Sequence, residues 1–240
     1  MIRPAASDSR SETASPKESE TNGSAGFEKP THAGEFPSSW ASEFLNWWIL
    51  ERARRVGLVQ EKGEVRQLVR LLRPLRPRRI LEIGTAHGGT FFLWTRVATP
   101  DALLISVDLP PWESEGETER QTLSRLRSFA RTDQTVHLLR GDSHDGETIS
   151  RVRAILSEAA LDFLFLDGDH SYLGVRKDFE AYFPLLRPGG LAALHDIHPH
   201  SKGWGGDVPL FWRELRAHHK TSEILADPSQ DGFAIGLLWR

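Results

Sequence analysis

Ile80-Leu81-Glu82-Ile83-Gly84-Thr85-Ala86-His87-Gly88-Gly89-Thr90 is the stretch on which the reading of this chain turns: a short apolar run containing an acid, a glycine-rich turn, and the start of a helix. Glycines let backbone approach a ligand closely, and the first turn of a helix offers N–H groups with no partner inside the helix. The motif recurs in outline downstream. Apolar runs closing on an acid cover Arg79–Gly84, Leu103–Asp108, Val136–Asp142, Leu161–Asp167 and Gly190–Asp196, and helical segments separate them. The acids Glu82, Asp108, Asp142, Asp167 and Asp196 fall 25 to 34 residues apart, a spacing that suits strand, loop, helix and loop. The rhythm predicts an α/β protein with a doubly wound, mostly parallel sheet. At the end, Thr221–Ala226 and Gly232–Trp239 read as strands six and seven of that sheet. The five residues Asp227-Pro228-Ser229-Gln230-Asp231 cannot hold a crossover helix, so these two strands are expected to pair antiparallel at the sheet edge.

Working outward, residues 39–78 read as N-terminal helices. Trp40, Phe44, Trp47 and Trp48 fall at i, i+4, i+7 and i+8 of a helix running to about Arg55, and a second helix, Glu61–Leu72, is expected to end before Pro74 and Pro77. Core packing is the first expectation for the aromatic stripe, with a lid over an acceptor pocket or an oligomer contact as the alternatives. Residues 1–38, rich in Ser, Glu, Thr, Pro and Gly, are expected to form a disordered tail, leaving 79–240 as the ligand-binding domain.

Thirty Lys and Arg against 33 Asp and Glu give a net charge of -3, which supplies no global electrostatic argument for a nucleic acid or an anionic membrane. The absence of cysteine excludes disulfides, thiolate nucleophiles and Cys-ligated metals. No apolar stretch reaches the roughly 18 residues of a membrane span, and the expectation is a cytoplasmic protein. At 240 residues, 39% hydrophobic and 26% charged, the chain suits one domain with a sizeable core.

In a doubly wound sheet the ligand lies across the carboxyl ends of the strands, so acids that close the strands face the crevice. The first turn carries Ala86 where a dinucleotide fingerprint has glycine, and it sets Glu82 nearby, which suits a ligand bearing an ammonium group and no phosphate. His195, Asp196, His198 and His200 contain the two-His-one-carboxylate composition of non-haem iron oxygenases, but they are nearly consecutive. The polar, glycine-bearing segment 196–207, with Trp204, reads as an acceptor-side lid.

The chain from about Leu58 to Trp239 resembles the class I S-adenosylmethionine-dependent methyltransferases, with their Rossmann-like seven-stranded sheet and antiparallel C-terminal hairpin. Within them it is similar to the branch of the cephalosporin 7-α-methoxylation protein and the macrolide and rhamnosyl O-methyltransferases, and more distantly to catechol O-methyltransferase. The resemblance rests on Ile80–Thr90, on Gly141-Asp142-Ser143, on Phe165-Leu166-Asp167-Gly168-Asp169-His170-Ser171-Tyr172, and on Leu186-Arg187-Pro188-Gly189-Gly190 followed by His195-Asp196.

It implies S-adenosylmethionine as cofactor, with Glu82 and Gly84 at the methionine end and Thr85, Gly88 and Thr90 in the same turn. Asp108 would meet the ribose hydroxyls, and Asp142 and Ser143 the adenine. It further implies a divalent metal at Asp167, His195 and Asp196, magnesium in the relatives, although the imidazole of His195 better suits Mn, Fe, Co or Zn. His170, with Asp167, is the implied catalytic pair, His170 as base. The implied partner is a small-molecule hydroxyl acceptor from secondary metabolism, such as antibiotic biosynthesis, with a homo-oligomer as assembly and no nucleic acid or membrane. Gln60 and Glu64 stand where relatives approach the cofactor, or on a solvated helix face; Trp112 stands near the adenine or plugs the core. A non-haem oxygenase and a non-catalytic partner subunit are the alternatives. A nucleic-acid methyltransferase would have only Arg73, Arg76, Arg78 and Arg79 to use, and these precede the first strand.

Overall fold

A computed structural model of the chain describes residues 38–110, 118–203 and 206–240, with side chains from residue 43 onward. Strands β1 (Arg79–Ile83), β2 (Leu103–Asp108), β3 (Thr135–Arg140), β4 (Leu161–Leu166), β5 (Leu186–Leu194), β6 (Thr221–Ile224) and β7 (Ile235–Trp239) form one sheet in the order β3-β2-β1-β4-β5-β7-β6. The first five are mutually parallel. Strand β7 runs antiparallel to both β5 and β6, so the expected hairpin lies with β7 inside and β6 at the edge.

Burial on both faces explains why the parallel strands read as continuous apolar runs rather than alternating ones. Helices α1 (Ser38–Arg55), α2 (Lys62–Leu75), α3 (Gly89–Val97) and α4 (Glu119–Arg127) pack with Ile80, Leu104, Phe163 and Phe165 on one face. Helices α5 (Gly146–Leu156), α6 (Tyr172–Tyr182) and α7 (Val208–His218) pack with Leu81, Ile83, Ile105 and Leu164 on the other. Successive side chains of a strand point to opposite faces. Glu82 therefore shares the α1–α4 face with Ile80, a placement that matters below.

Several boundaries differ from the sequence expectation. Helix α2 runs through Pro74 to Leu75 instead of stopping before it, because a proline in the last turn forfeits one bond while the left-handed Arg76 (φ 47°) closes the helix with its N–H on Leu72 O at 3.0 Å. Strand β7 starts at Ile235, since Phe233 and Ala234 adopt left-handed backbone (φ 55° and 70°) that cannot extend a strand. The aromatic stripe of α1 does not pack in the core. Ile49, Leu50 and Ala53 turn inward, while Phe44, Trp47 and Trp48 are 66%, 46% and 45% exposed. The expected tail up to residue 37, the side chain of Trp40, Trp112, and Trp204 with Gly205 lie outside the described residues; Ser38 itself opens α1.

Candidate active site

The order of strands reverses between β1 and β4, the place where open α/β sheets leave a crevice at their carboxyl ends. Gly84 sits there in left-handed conformation (φ 82°), and a Cβ on it would lie 1.9 Å from the Asp167 carbonyl oxygen, so only glycine lets the loops after β1 and β4 come this close. Gly88 (φ 86°) precedes α3, and a Cβ there would strike Leu126 at 2.2 Å. From this floor a crevice of about 500 Å³ opens, walled by Gly84, Ala86, Asp108, Asp142, Ser143 and His144 among others.

Backbone groups hold the acids of this crevice. Asp108 accepts from the N–H of Ala86 (2.7 Å, Oδ2) and of Leu109 (2.8 Å, Oδ1), with Arg140 3.3 Å from Oδ2. Asp142 accepts from His144 N at 2.8 Å, closing a turn on itself. The carbonyl of Ser143 accepts the Tyr182 hydroxyl at 2.7 Å.

A second chamber of about 240 Å³ adjoins the crevice, and Gly84, Ala86, Asp167 and His170 line both. Thr85 and Thr90 border it; Glu82 and Gly88 line neither space. Glu82 lies one layer beneath, wholly buried, with Oε1 accepting the Trp94 indole N–H at 2.7 Å and Oε2 without a hydrogen-bond partner. Burial pushes its carboxyl up to about 8, and the polar groups of Thr90, Trp94 and Thr85 offset this only in part. Strand alternation sends Glu82 toward α3 instead of the rim, a direction that its place after two apolar residues, Ile80 and Leu81, does not reveal.

Acids and imidazoles converge in the second chamber. Asp167 follows β4; His170 is held by the turn in which Asp169 Oδ1 accepts Ser171 N (2.8 Å) and Ser171 caps α6; His195 and Asp196 follow β5. His170 places Nε2 3.2 Å from Asp167 Oδ1 and Nδ1 3.2 Å from Asp196 Oδ2. His195 sets Nδ1 3.3 Å from Asp167 Oδ1 and 3.2 Å from Asp196 Oδ1. Gln60 donates to Asp167 Oδ2 at 2.6 Å. Burial by itself raises the Asp167 carboxyl, yet the His195 and His170 imidazoles outweigh it and hold it well below the usual carboxylate range. Burial opposes charge on His195, but Asp167 and Asp196 override it and push the imidazole up to about 10. The hydrogen bond to Asp167 is the main force raising His170. Asp167, His170 and Asp196 each bring one ligand-capable atom within 4.8 Å of the others, and His195 Nδ1 faces the same two carboxylates, so the donor set fits a divalent cation.

The remaining candidates scatter. His198 Nε2 faces Glu223 at 3.4 Å and His200 Nδ1 faces Asp231 at 3.8 Å, so the histidines of segment 196–207 do not gather around His195 and Asp196 as an oxygenase triad requires. That segment is tied down where Asp207 N donates to His170 O at 2.8 Å. Arg78 pairs with Asp101 at 2.6 Å, at the end of β1 opposite the crevice. Phe233 and His144, which line the chamber and the crevice, escaped the sequence reading. His144 follows Asp142-Ser143 and was legible from that adjacency; Phe233 arrives from a terminal hairpin and left no local signal. No helix among the described residues is long and apolar enough to cross a membrane.

Comparison with known proteins agrees with this geometry. Residues 81–197 match the family model described as a methyltransferase domain. The uncharacterized protein y4gI of Sinorhizobium fredii is 28% identical over 177 residues, 70% of this chain and 18% of that protein. Mycinamicin VI 2''-O-methyltransferase of Micromonospora griseorubida is 26% identical over 138 residues, 54% of this chain and 30% of that protein. The chain thus spans less than a third of the length of these relatives. Among solved structures, the O-methyltransferase TomG of Streptomyces achromogenes, in complex with S-adenosylmethionine, superposes with a TM-score of 0.53 at 20% identity, over 80% of this chain and 90% of that one. An O-methyltransferase of Bacillus cereus in complex with S-adenosylhomocysteine gives 0.52 at 17% identity, over 84% and 96%. The fold is thereby defined: the seven-stranded sheet is that of the class I methyltransferases.

Proposed function

We propose that the chain is an S-adenosylmethionine-dependent O-methyltransferase acting on a hydroxyl of a small molecule of secondary metabolism, assisted by a divalent cation. The observation that carries this reading is continuity: Asp167 and His170 line both the nucleoside-sized crevice and the chamber of acids and imidazoles, so one ligand can reach from one into the other. The names of the mycinamicin and tomaymycin relatives support a natural-product hydroxyl as acceptor.

In this reading Asp108 keeps lone pairs free for two ribose hydroxyls while backbone N–H groups fix its angle. Asp142 and Ser143 border the adenine. Gly84, Thr85, Gly88 and Thr90 shape the turn around the methionine end, and Glu82 lies beneath it, where a ligand ammonium favours its ionised form. S-adenosylmethionine supplies a methyl group on a sulfonium, and the cation, held by Asp167, His195 and Asp196, supplies positive charge that favours a deprotonated hydroxyl. His170 takes the hydroxyl proton; with 37% of its side chain exposed, it is the cluster member best able to meet an acceptor. The exposed Phe44, Trp47 and Trp48 of α1 support a contact between copies in a homo-oligomer.

Calorimetric titration with S-adenosylhomocysteine, followed by methyl transfer from labelled S-adenosylmethionine to a panel of hydroxylated natural products, tests the reading. Saturable nucleoside binding and label in an ether product are expected. A protein that binds neither nucleoside overturns it.

A further inference from the structure

Glu64 is buried completely in the first turn of α2, one of its oxygens engaged and the other idle. Oε1 accepts from Gln230 Nε2 (2.5 Å) and from Ala234 N (2.8 Å), whereas Oε2 has no hydrogen-bond partner. The polar atom facing it is His195 Nε2, 3.8 Å away, itself buried and without a hydrogen-bond partner. Two orphaned polar atoms of opposite character, both out of water, are costly unless something makes them meet. The backbone around them is set at some expense: Ala234, which donates to Glu64, and Phe233, which lines the chamber, both take left-handed conformations that non-glycine residues avoid. The His195 ring lies between Phe165 and Phe233, with centroids 6.5 and 6.1 Å away, so its polar edges point to Glu64 on one side and to Asp167 and Asp196 on the other.

We propose that Glu64 is a positioning residue for the cation site: it accepts the Nε2 proton of His195, fixes the lone pair of Nδ1 on the side of Asp167 and Asp196, and turns the site toward ions that bind imidazole well, such as Co²⁺ and Zn²⁺, over Mg²⁺. The inference rests on the reading that a cation is held by these residues. A carboxylate behind a ligating imidazole sets the tautomer and raises the basicity of the ligand. Mg²⁺ gains nothing from this arrangement, because it takes oxygen ligands. Movement of the ring by a fraction of an ångström closes the 3.8 Å gap to a hydrogen bond.

The decisive variant is Glu64→Gln, which can still accept from Ala234 but offers an N–H to His195 Nε2 and so drives the ring proton to Nδ1. Calorimetry with Co²⁺, Mn²⁺ and Mg²⁺, together with the visible absorption of the Co²⁺ form, reads the effect. The expected result is a roughly 10- to 100-fold loss of Co²⁺ affinity and an altered Co²⁺ spectrum, a smaller loss of Mn²⁺ affinity, and Mg²⁺ binding unchanged. In a His195→Asn background Glu64→Gln is expected to cost nothing further. Unchanged Co²⁺ affinity and spectrum in Glu64→Gln, or an equal loss in the His195→Asn background, overturns the proposal. Nitrogen-15 spectra of histidine in the Zn²⁺-loaded wild-type protein test it without a variant: His195 protonated at Nε2 supports it, and protonation at Nδ1 overturns it. A wild-type protein that binds S-adenosylhomocysteine but none of these ions sinks the inference alone, whereas one that binds the ions but not the nucleoside sinks the methyl-transfer reading instead.

Discussion

The crevice over β1–β3 and the chamber over β4 and β5 share a rim but satisfy their carboxylates by different means. Asp108 and Asp142 are met first by backbone N–H groups of Ala86, Leu109 and His144, at 2.7–2.8 Å, with the Arg140 guanidinium and the His144 imidazole further off at 3.3 Å. Asp167 and Asp196 are met by side chains: His170 from the loop after β4, His195 from the end of β5, each bridging both acids, and Gln60 from far upstream. A carboxylate held by backbone is a fixed acceptor, suited to read a neutral polar ligand. One held by imidazoles can exchange partners, so a cation can replace a proton in the same space. On the proposed reading the first region binds and the second carries chemistry, on one continuous wall.

Three changes strain this division, beginning with the one of largest effect. Asp167→Asn removes the acid common to His170, His195 and Gln60, and methyl transfer is expected to fall on the order of 10³-fold while S-adenosylhomocysteine affinity shifts by less than about tenfold. Steady-state rates and calorimetry on the same preparation check it; equal losses in both would erase the boundary between the regions. Asp108→Ala acts on the other side, weakening S-adenosylhomocysteine by roughly 10- to 100-fold, the loss of a charged acceptor for two hydroxyls, while turnover at saturating cofactor stays close to wild type. A fall in turnover with unchanged affinity is the result that contradicts it.

The smallest effect concerns the buried layer beneath both. The folded protein holds the Glu82 proton up to about 8, whereas the free group releases it near 4.5. The folded state therefore binds more protons in that interval, and the stabilising contribution of Glu82 is complete below pH 4.5 and lost as pH rises through 8, on the order of 3–5 kcal/mol over the span. Glu82→Gln carries no such proton, so urea denaturation at pH 5, 7 and 9 should show the variant gaining on wild type as pH rises. Parallel pH profiles for the two proteins would mean that Glu82 is ionised in the fold.

Much of the fold was legible because its signals are local. Apolar runs closing on acids predicted all five parallel strands to within a few residues, save that β5 begins at Leu186, four residues before Gly190. The brevity of 227–231 required an antiparallel pair, as found. Where reading failed, a distant contact had overruled a local pattern. Helical spacing identified the stripe of Phe44, Trp47 and Trp48 but could not say which side of α1 faces the sheet, and the core chose Ile49, Leu50 and Ala53. Pro74 looked like a terminator, yet helix end chemistry at Arg76 absorbed it.

By itself the sequence determined the order of elements, the acids that follow or close β2 to β5 and the glycine turn after β1, since each depends on residues a few positions apart whose backbone preferences and periodicity act alone. Only the tertiary structure decided that Glu82 points beneath the crevice, that Gln60 reaches Asp167 across 107 positions, and that Glu64 is gripped by Ala234 across 170. Such contacts follow from how strands order and helices pack, which is settled by burying the whole apolar surface at once and leaves no trace in any short stretch of the chain.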